Sequence, residues 1–587
     1  MLAHGCGAYR RLRRWTRAHL QVQHAAFVFL QERLHGCADT MTTTTVYAAR
    51  KILTLNRARP DATHVAVRDG RILGVGALDE LLGWGPVELN ECFADKVLMP
   101  GLVEGHSHLM AGTLWRYTYC GYFDVGNPDG TTVPGSRSLA AAIAALSASD
   151  GGDDAIVGWG FDPIYFGTQR CTRHDLDRVS STRPVGVLHA SGHILNLNTV
   201  ALQRAGFLRA GIQHPAFPLG DDGLPNGELK GPEAMMPALE HVGLTRNFLG
   251  GDETGMRAFG KLCVRAGVTT ATDLAASLDE TSVETLLRVT GESDYPVRIA
   301  PLLRLIGMTP AQAVQRATAL RLRSTEQLRL GAIKLVADGS IQGFSARLRW
   351  PGYYNGAPPG LWYTAPEVLR ETYALALAQG LLVHTHTNGD EATELALDCF
   401  EAALLLHPAP DHRCTLQHVQ LADAAMFRRM RALGLCANLF ANHLFYWGDQ
   451  HYEVTVGPER ATRMNACATA LAEAVPLAIH SDAPITPLGP LFTAWCAVNR
   501  VSASGRLLGA NERISVAQAL HAITLGAAFT LRLDGEIGSI ECGKRADFCV
   551  LDDDPTAVAP MALKDIGVWG TVQGGRIFAA SYTVGAA

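Results

Sequence analysis

Between residues 97 and 484 one pattern recurs: a short apolar run suited to a strand, then a stretch of helical period. The runs are VLMPGLVEGHSHL (97–109), GVTTATDL (267–274), VRIAPLL (297–303), LGAIKLVADGS (330–340), LLVHTHTNGD (381–390), CTLQHVQL (414–421), LCANLFANH (435–443) and PLAIHSDAP (476–484). Segments between them, such as APEVLRETYALALAQG and ADAAMFRRMRALG, read as helices. Strand–helix alternation of this kind specifies a parallel sheet covered by helices, and eight repeats specify an α/β chain folded as a (β/α)8 TIM-like barrel. RISVAQALHAITLGAAFTL is expected to close the barrel with an amphipathic helix capped by Ser515.

Two parts fall outside the repeat. Residues 115–255 separate the first two strands, far more chain than a βα connection needs, and read as an inserted subdomain. It contains GWGFDPIYFG (158–167) and LHASGHILNLNTVAL (188–202). β-rich segments punctuated by Asp-Gly and Gly turns stand at both ends: TVYAARKILTL and HVAVRDGRILGVG early, GEIGSIECGKRADFCVLDDDP and VWGTVQGGRIFAAS late. Residues 41–97 and 536–587 are therefore expected to join in one small β-sandwich beside a barrel of residues 98–535, with Pro100 and Gly101 at the crossing. Residues 1–40 carry Arg10, Arg11, Arg13, Arg14, Arg17 and Arg33 against Glu32 and Asp39. They form an N-terminal extension, either a targeting segment or sequence upstream of a functional start at Met41, the second being favoured.

Composition narrows the partners. Hydrophobic residues make up 48% and charged residues 18%, the balance of a folded globular chain. A net charge of -5 without a large basic block past the N-terminus gives no support to a nucleic-acid or membrane partner. No apolar run approaches the ~18 residues of a membrane span. The 13 cysteines, with no C-x-x-C, read as buried thiols in a reducing, cytoplasmic setting.

In such a barrel the active site lies at the C-terminal ends of the strands. His106 and His108 end the first strand run, Lys334 lies on the fourth, His384 and His386 on the fifth, His418 on the sixth, His480 and Asp482 on the eighth. An H-x-H triplet alone carries little, since 21 histidines in 587 residues supply about 0.75 by chance. Position gives it weight. Residues two apart in a strand face the same side, so His106 and His108 converge on one ion. His386, His418 and Asp482 reach the same mouth from other strands. Imidazole with carboxylate suits Zn²⁺, and also Mn²⁺, Co²⁺ or Fe²⁺. Lys334 stands in an apolar strand, where its charge is costly and desolvation lowers its pKa. A neutral amine there can react with CO2, giving a carbamate whose oxygens bridge two ions.

These residues sit in motifs that resemble the metal-dependent amidohydrolase superfamily, and within it the amidohydrolase-3 branch, the YtcJ-like group that includes N-substituted formamide deformylases. PGLVEGHSHL resembles the strand-one signature and IKLVADGSIQGFSA the strand-four motif; HTNGD, LQHVQL and HSDAPITPLGPL resemble those of strands five, six and eight. SGHILNLNTVAL resembles the insertion motif and GSIECGKRADFCVLDDDP the closing β-sandwich. The resemblance runs from Met41 to the C-terminus. It implies that His106 and His108 bind the more buried metal with Asp482, that His386 and His418 bind a second, and that carboxylated Lys334 bridges two zinc ions. His384 becomes a supporting inward residue. It also implies a water made acidic by the metals as the nucleophile on an amide-type carbonyl, with Asp482 as the catalytic residue that takes its proton and returns it to the leaving amine. The chain departs from the branch in DGLPNGELKGPEAM, where Gly231 stands at a position usually held by a glutamate and Glu233 comes later.

The expected function is hydrolysis of a non-peptide C–N bond in a small-molecule amide. His193, Trp159, Asp162 and Asp338 are candidate substrate contacts. Trp350, Tyr353, Tyr354, Trp362 and LFYWGD (444–449) are candidate aromatic walls at the barrel mouth. Barrels of this type often pair as homodimers. Two alternatives stand beside this expectation: a deaminase of a heterocycle using one metal and no bridging lysine, and a non-catalytic barrel scaffold, against which the filled ligand positions speak.

Overall fold

The computed structural model describes residues 43–149, 155–167, 169–244 and 252–581, so the extension 1–40 lies outside the described residues. Eight parallel strands form the central sheet: β1 (Leu102–Glu104), β2 (Val268–Ala276), β3 (Arg298–Arg304), β4 (Ala332–Val336), β5 (Leu382–Thr387), β6 (Thr415–His418), β7 (Cys436–Leu439) and β8 (Leu477–Ile479). Each pairs with its neighbour in chain order. A parallel bridge from Ser107 to Ala483, with His108 N–H donating to the Ala483 carbonyl at 2.8 Å, joins the two edges just beyond β1 and β8 and closes the barrel. Every residue of β5 to β8 is buried, as strands covered by helices must be.

The covering helices start where the sequence supplies a side-chain acceptor. Asp252, Asp279, Thr309 and Asp423 each accept from the N–H three residues on, opening helices Glu253–Arg265, Glu280–Thr290, Pro310–Arg321 and Ala424–Leu433. Ser515 caps the closing segment in the same way, with Gln518 completing a capping box. That segment is two helices rather than one, Val516–Ala522 and Leu525–Thr530. The break has a cause: the Ile523 carbonyl leaves the helical ladder to accept from Val103 N–H of β1. The second piece lies so close to β8 that a Cβ on Gly526 would stand 2.3 Å from the Leu477 carbonyl oxygen.

The two chain ends meet in one seven-stranded sheet. Four strands come from the front (Thr44–Leu53, Asp61–Arg68, Arg71–Gly76, Val87–Pro100) and three from the back (Phe548–Leu551, Val568–Gln573, Arg576–Ala579). They join where Phe548 pairs antiparallel with Pro100 and Leu551 with Val97. Gly101 alone separates the last front strand from β1. The long segment between β1 and β2 builds a five-stranded sheet of its own, from Thr118–Tyr119, Ile156–Phe161, Val185–His189, Ile194–Leu197 and Glu228–Lys230. Among the described residues no helix is long and apolar enough to cross a membrane.

Candidate metal centre

β1 ends at Glu104, so His106 and His108 lie in the turn beyond it and not in the strand. They still face one side, because the bridge at Ser107 keeps the chain extended between them. Asp482 likewise follows the end of β8, and its N–H donates to the His106 carbonyl at 3.0 Å. This brings Asp482 Oδ1 to 3.0 Å from His108 Nε2 and 3.4 Å from His106 Nε2. Asp482 Oδ2 stands 3.8 Å from His418 Nδ1. His418 and Asp482 both take left-handed backbone, φ 70° and 55°, a conformation that costs an L-residue about 1–3 kcal/mol and turns the side chain out of the strand line. The His418 ring lies 4.5 Å from that of His106 and 4.4 Å from that of His386. Two sets of donor atoms lie within 4.8 Å of one another: His106, His108 and Asp482, and His106, His418 and His480. His106, His108, Lys334, His386, His418 and Asp482 all line one cavity of about 110 Å³.

The donors suit a divalent cation. Lys334 Nζ and both ring nitrogens of His418 are buried without a hydrogen-bond partner. Buried polar atoms left unpaired cost about 1–3 kcal/mol each, and a cluster of them is the signature of a site completed by a ligand. Burial holds His106, His386 and His418 well below the usual imidazole range, in the neutral form that ligates metals. His108 is partly buried, which lowers it, but Asp273 and Asp482 more than offset that and raise it. Burial lowers Lys334 to about 7; Asp482 opposes the shift and Arg304 adds to it.

Several residues beneath the ligands were not singled out from sequence. Glu104, two positions before His106, accepts from Ser481 Oγ at 2.6 Å, Ser481 N–H at 3.2 Å and His106 N–H at 3.3 Å, tying the two ligand-bearing turns together. Burial pushes its carboxyl up to about 8, against the pull of those bonds. Gln417, one residue before His418, bonds His106 and His384. Arg304 ends β3 at the cavity wall. Glu104 and Gln417 sit in the motifs already quoted; spacing from a histidine was the one signal available for them.

The candidate substrate contacts separate. His193 lines the metal cavity, its ring 5.3 Å from that of His386. Asp338, 3.5 Å from His386 Nε2, is engaged by the N–H groups of Arg347, Asn388 and Gly389, each at 2.9 Å, and braces the turn after β5. Asp162 caps the turn at Pro163–Phe166 and accepts from Trp447 Nε1 at 3.0 Å. Neither carboxylate lines the metal cavity. Trp159 lines a second, larger cavity of about 230 Å³ with Trp115, Tyr119 and Tyr165 of the insertion and Tyr446 and Trp447 of the barrel. Ile485 borders both cavities. The aromatic wall is thus built mainly by the insertion. Of the residues expected to form it, Trp350 is 93% and Tyr354 63% exposed, Tyr353 packs on Phe344, and Trp362 stacks under Arg347. The departure at Gly231 also has a local cause. Its backbone is left-handed (φ 76°), and a Cβ there would lie 3.2 Å from the Tyr363 ring; Glu233 is exposed.

A barrel with histidines, an aspartate and a buried lysine at its mouth defines a metal-dependent hydrolase fold. The chain belongs to the amidohydrolase family, whose Amidohydro_3 sequence profile matches residues 94–579. It is similar to the putative amidohydrolase YtcJ of Bacillus subtilis (strain 168), 27% identical over 87% of this chain and 95% of that one. It is also similar to the N-substituted formamide deformylase of Arthrobacter pascens, 25% identical over 88% of this chain and 95% of the relative. Protein LONG AFTER FAR-RED 3 of Arabidopsis thaliana is 29% identical over 85% of each chain. Among solved structures, an uncharacterized metal-dependent hydrolase from Pyrococcus horikoshii shares the fold with a TM-score of 0.66, at 20% identity over 88% of this chain and 99% of its own.

Proposed function

We propose that this hydrolase cleaves a non-peptide C–N bond of a small amide at two divalent cations, zinc foremost, joined through a carboxylated Lys334. The observation that carries the reading is Lys334 itself, a buried and unpartnered amine with pKa lowered to about 7, in one cavity with His106, His108, His386, His418 and Asp482. The neutral amine bonds the carbon of CO2 and releases one proton, leaving an anionic carbamate. His106, His108 and Asp482 would hold one cation, His386 and His418 the other. When bound, the cations polarise the amide carbonyl and acidify a water molecule. Asp482 accepts the nucleophile's proton and returns it to the departing nitrogen. His193 reaches the substrate beside His386. The aromatic cavity beyond Ile485 suits an apolar substituent, in keeping with the similarity to a deformylase of N-substituted formamides. A second reading has its own support: His106, His108 and Asp482 form a compact donor group for a single ion, as a mononuclear deaminase needs.

Metal analysis of purified protein with a screen over N-formyl, N-acyl and carbamate compounds tests this. Two ions per chain are expected, with Lys334→Ala retaining one at most and losing activity by about 100-fold or more. One ion per chain and full activity in Lys334→Ala would favour the mononuclear reading. Protein that binds no divalent metal and cleaves no amide would be a scaffold.

A further inference from the structure

We infer that Gln417 and His384 are positioning residues that fix the His106 ring in the tautomer a cation requires, a role that rests on the metal centre proposed above. The chain of bonds begins at a group with no choice. The main-chain carbonyl of Thr530, at the end of helix Leu525–Thr530, only accepts, and His384 Nε2 lies 2.9 Å from it. Nε2 of His384 therefore carries the proton. A neutral ring has one, so His384 Nδ1 must accept. It does so from Gln417 Nε2 at 2.8 Å, which turns the amide so that its Oε1 faces His106 Nδ1, 2.7 Å away. An amide oxygen only accepts, so His106 carries its proton on Nδ1. Its Nε2 is left with a bare lone pair directed at the side where Asp482 Oδ1 and His108 Nε2 stand.

Each link is sealed from water: Gln417 and His384 are 0% and His106 2% exposed. No solvent molecule can take over a donor or acceptor role, so one carbonyl sets the sequence of protons through three side chains. A second proton on His384 would reverse the order. The geometry opposes it: His384 Nδ1 faces the Gln417 amide nitrogen, which only donates, so a second proton there would have no acceptor. His384 thus approaches no substrate and no cation; it acts through Gln417.

The relay makes an unusual pair of predictions for the full-length protein. Gln417→Met has nearly the same size but severs both bonds. Gln417→Glu places a charge in the core yet still accepts from His106 Nδ1, its other oxygen facing His384. If Gln417 merely fills space, Met is tolerated and Glu is harmful. The relay gives the reverse: zinc affinity, measured by chelator competition, falls about 10- to 100-fold in Gln417→Met and stays within about threefold of wild type in Gln417→Glu. Two-bond ¹H–¹⁵N correlations of histidine-labelled, metal-free protein report the tautomer directly. Wild type and Gln417→Glu should show His106 protonated on Nδ1, and Gln417→Met should show the Nε2 form appearing. A wild-type His106 protonated on Nε2 overturns the relay without recourse to either variant, as does unchanged zinc affinity in Gln417→Met. Wild-type protein that binds no zinc sinks the metal centre instead, while the tautomer still decides the relay.

Discussion

Strand β3 begins and ends with an arginine, and the two are treated in opposite ways. Arg298, at the closed end of the barrel, is 1% exposed, and its charge is met by Asp547 beside the chain-end sheet. Its Nη1 donates to Asp547 Oδ2 at 2.7 Å and to Thr270 Oγ1 at 2.9 Å, and its Nε to the Glu326 carbonyl. Asp547 in turn accepts from Gly574 N–H at 2.8 Å. Arg304, at the mouth, is half-buried in the cavity wall, and among the described residues its guanidinium has no hydrogen-bond or ion-pair partner. One end of the strand satisfies its charge and the other leaves it available. Lys334 and His418 repeat the lesson at the mouth, with buried nitrogens left unpaired. In a barrel of this kind the closed face serves stability and the open face serves chemistry.

Substitutions at the two ends should separate those roles. The largest effect is expected at the mouth: Asp482→Asn keeps the size but removes the proposed base, lowering kcat by about 100- to 10,000-fold with little change in melting temperature. A variant with near-normal turnover would remove Asp482 from the chemistry. At the closed end, Asp547→Ala strands the Arg298 guanidinium in the core and should cost about 3–5 kcal/mol in urea unfolding, while the folded fraction keeps its turnover.

A smaller effect is expected where the insertion meets the barrel. Burial pushes the Asp162 carboxyl up to about 7, against the bonds from Ile164 N–H and Trp447. The folded state then holds a proton that the unfolded chain releases nearer pH 4. Stability from this group is present at low pH and is lost as pH rises through about 7. Asp162→Asn should flatten part of that decline, read from urea midpoints between about pH 4.5 and 7.5. Glu104 and Asp338, also raised, keep the remainder. An unchanged slope would mean that Asp162 is ionised in the folded protein. Smallest of all is the stability change for Arg304→Met, expected within about 0.5 kcal/mol of wild type because no internal partner is lost. A penalty as large as that of Asp547→Ala would break the contrast between the two ends of β3.

Much of the fold was legible because periodicity is local. The eight runs became β1 to β8, and Asp423 and Ser515 act as caps where the pattern placed helix starts. The six candidate ligands share one cavity because five stand at, next to or just past the end of a strand and Lys334 lies within β4. What escaped is non-local. The helix after Ser515 breaks at Ile523 to bond Val103, more than 400 residues earlier in the chain. The sequence points to aromatic residues beside the barrel motifs, yet the insertion supplies most of the wall, since only its packing over the mouth decides which rings face the cavity.

The sequence by itself determined the alternation of strand and helix, the order of the ligand motifs and the chemical types gathered at the strand ends. These follow from side-chain pattern and spacing, which act over a few residues. The tertiary structure decided which of those groups remain unpaired. Arg298 and Arg304 are the same residue six positions apart, and Asp162 and Asp338 looked as available as Asp482. Only burial and the arrival of Asp547, Trp447 or the Asn388 N–H distinguish a satisfied charge from a reactive one. The physical reason is that desolvation and hydrogen bonding depend on neighbours in space, which the chain brings together from hundreds of residues apart.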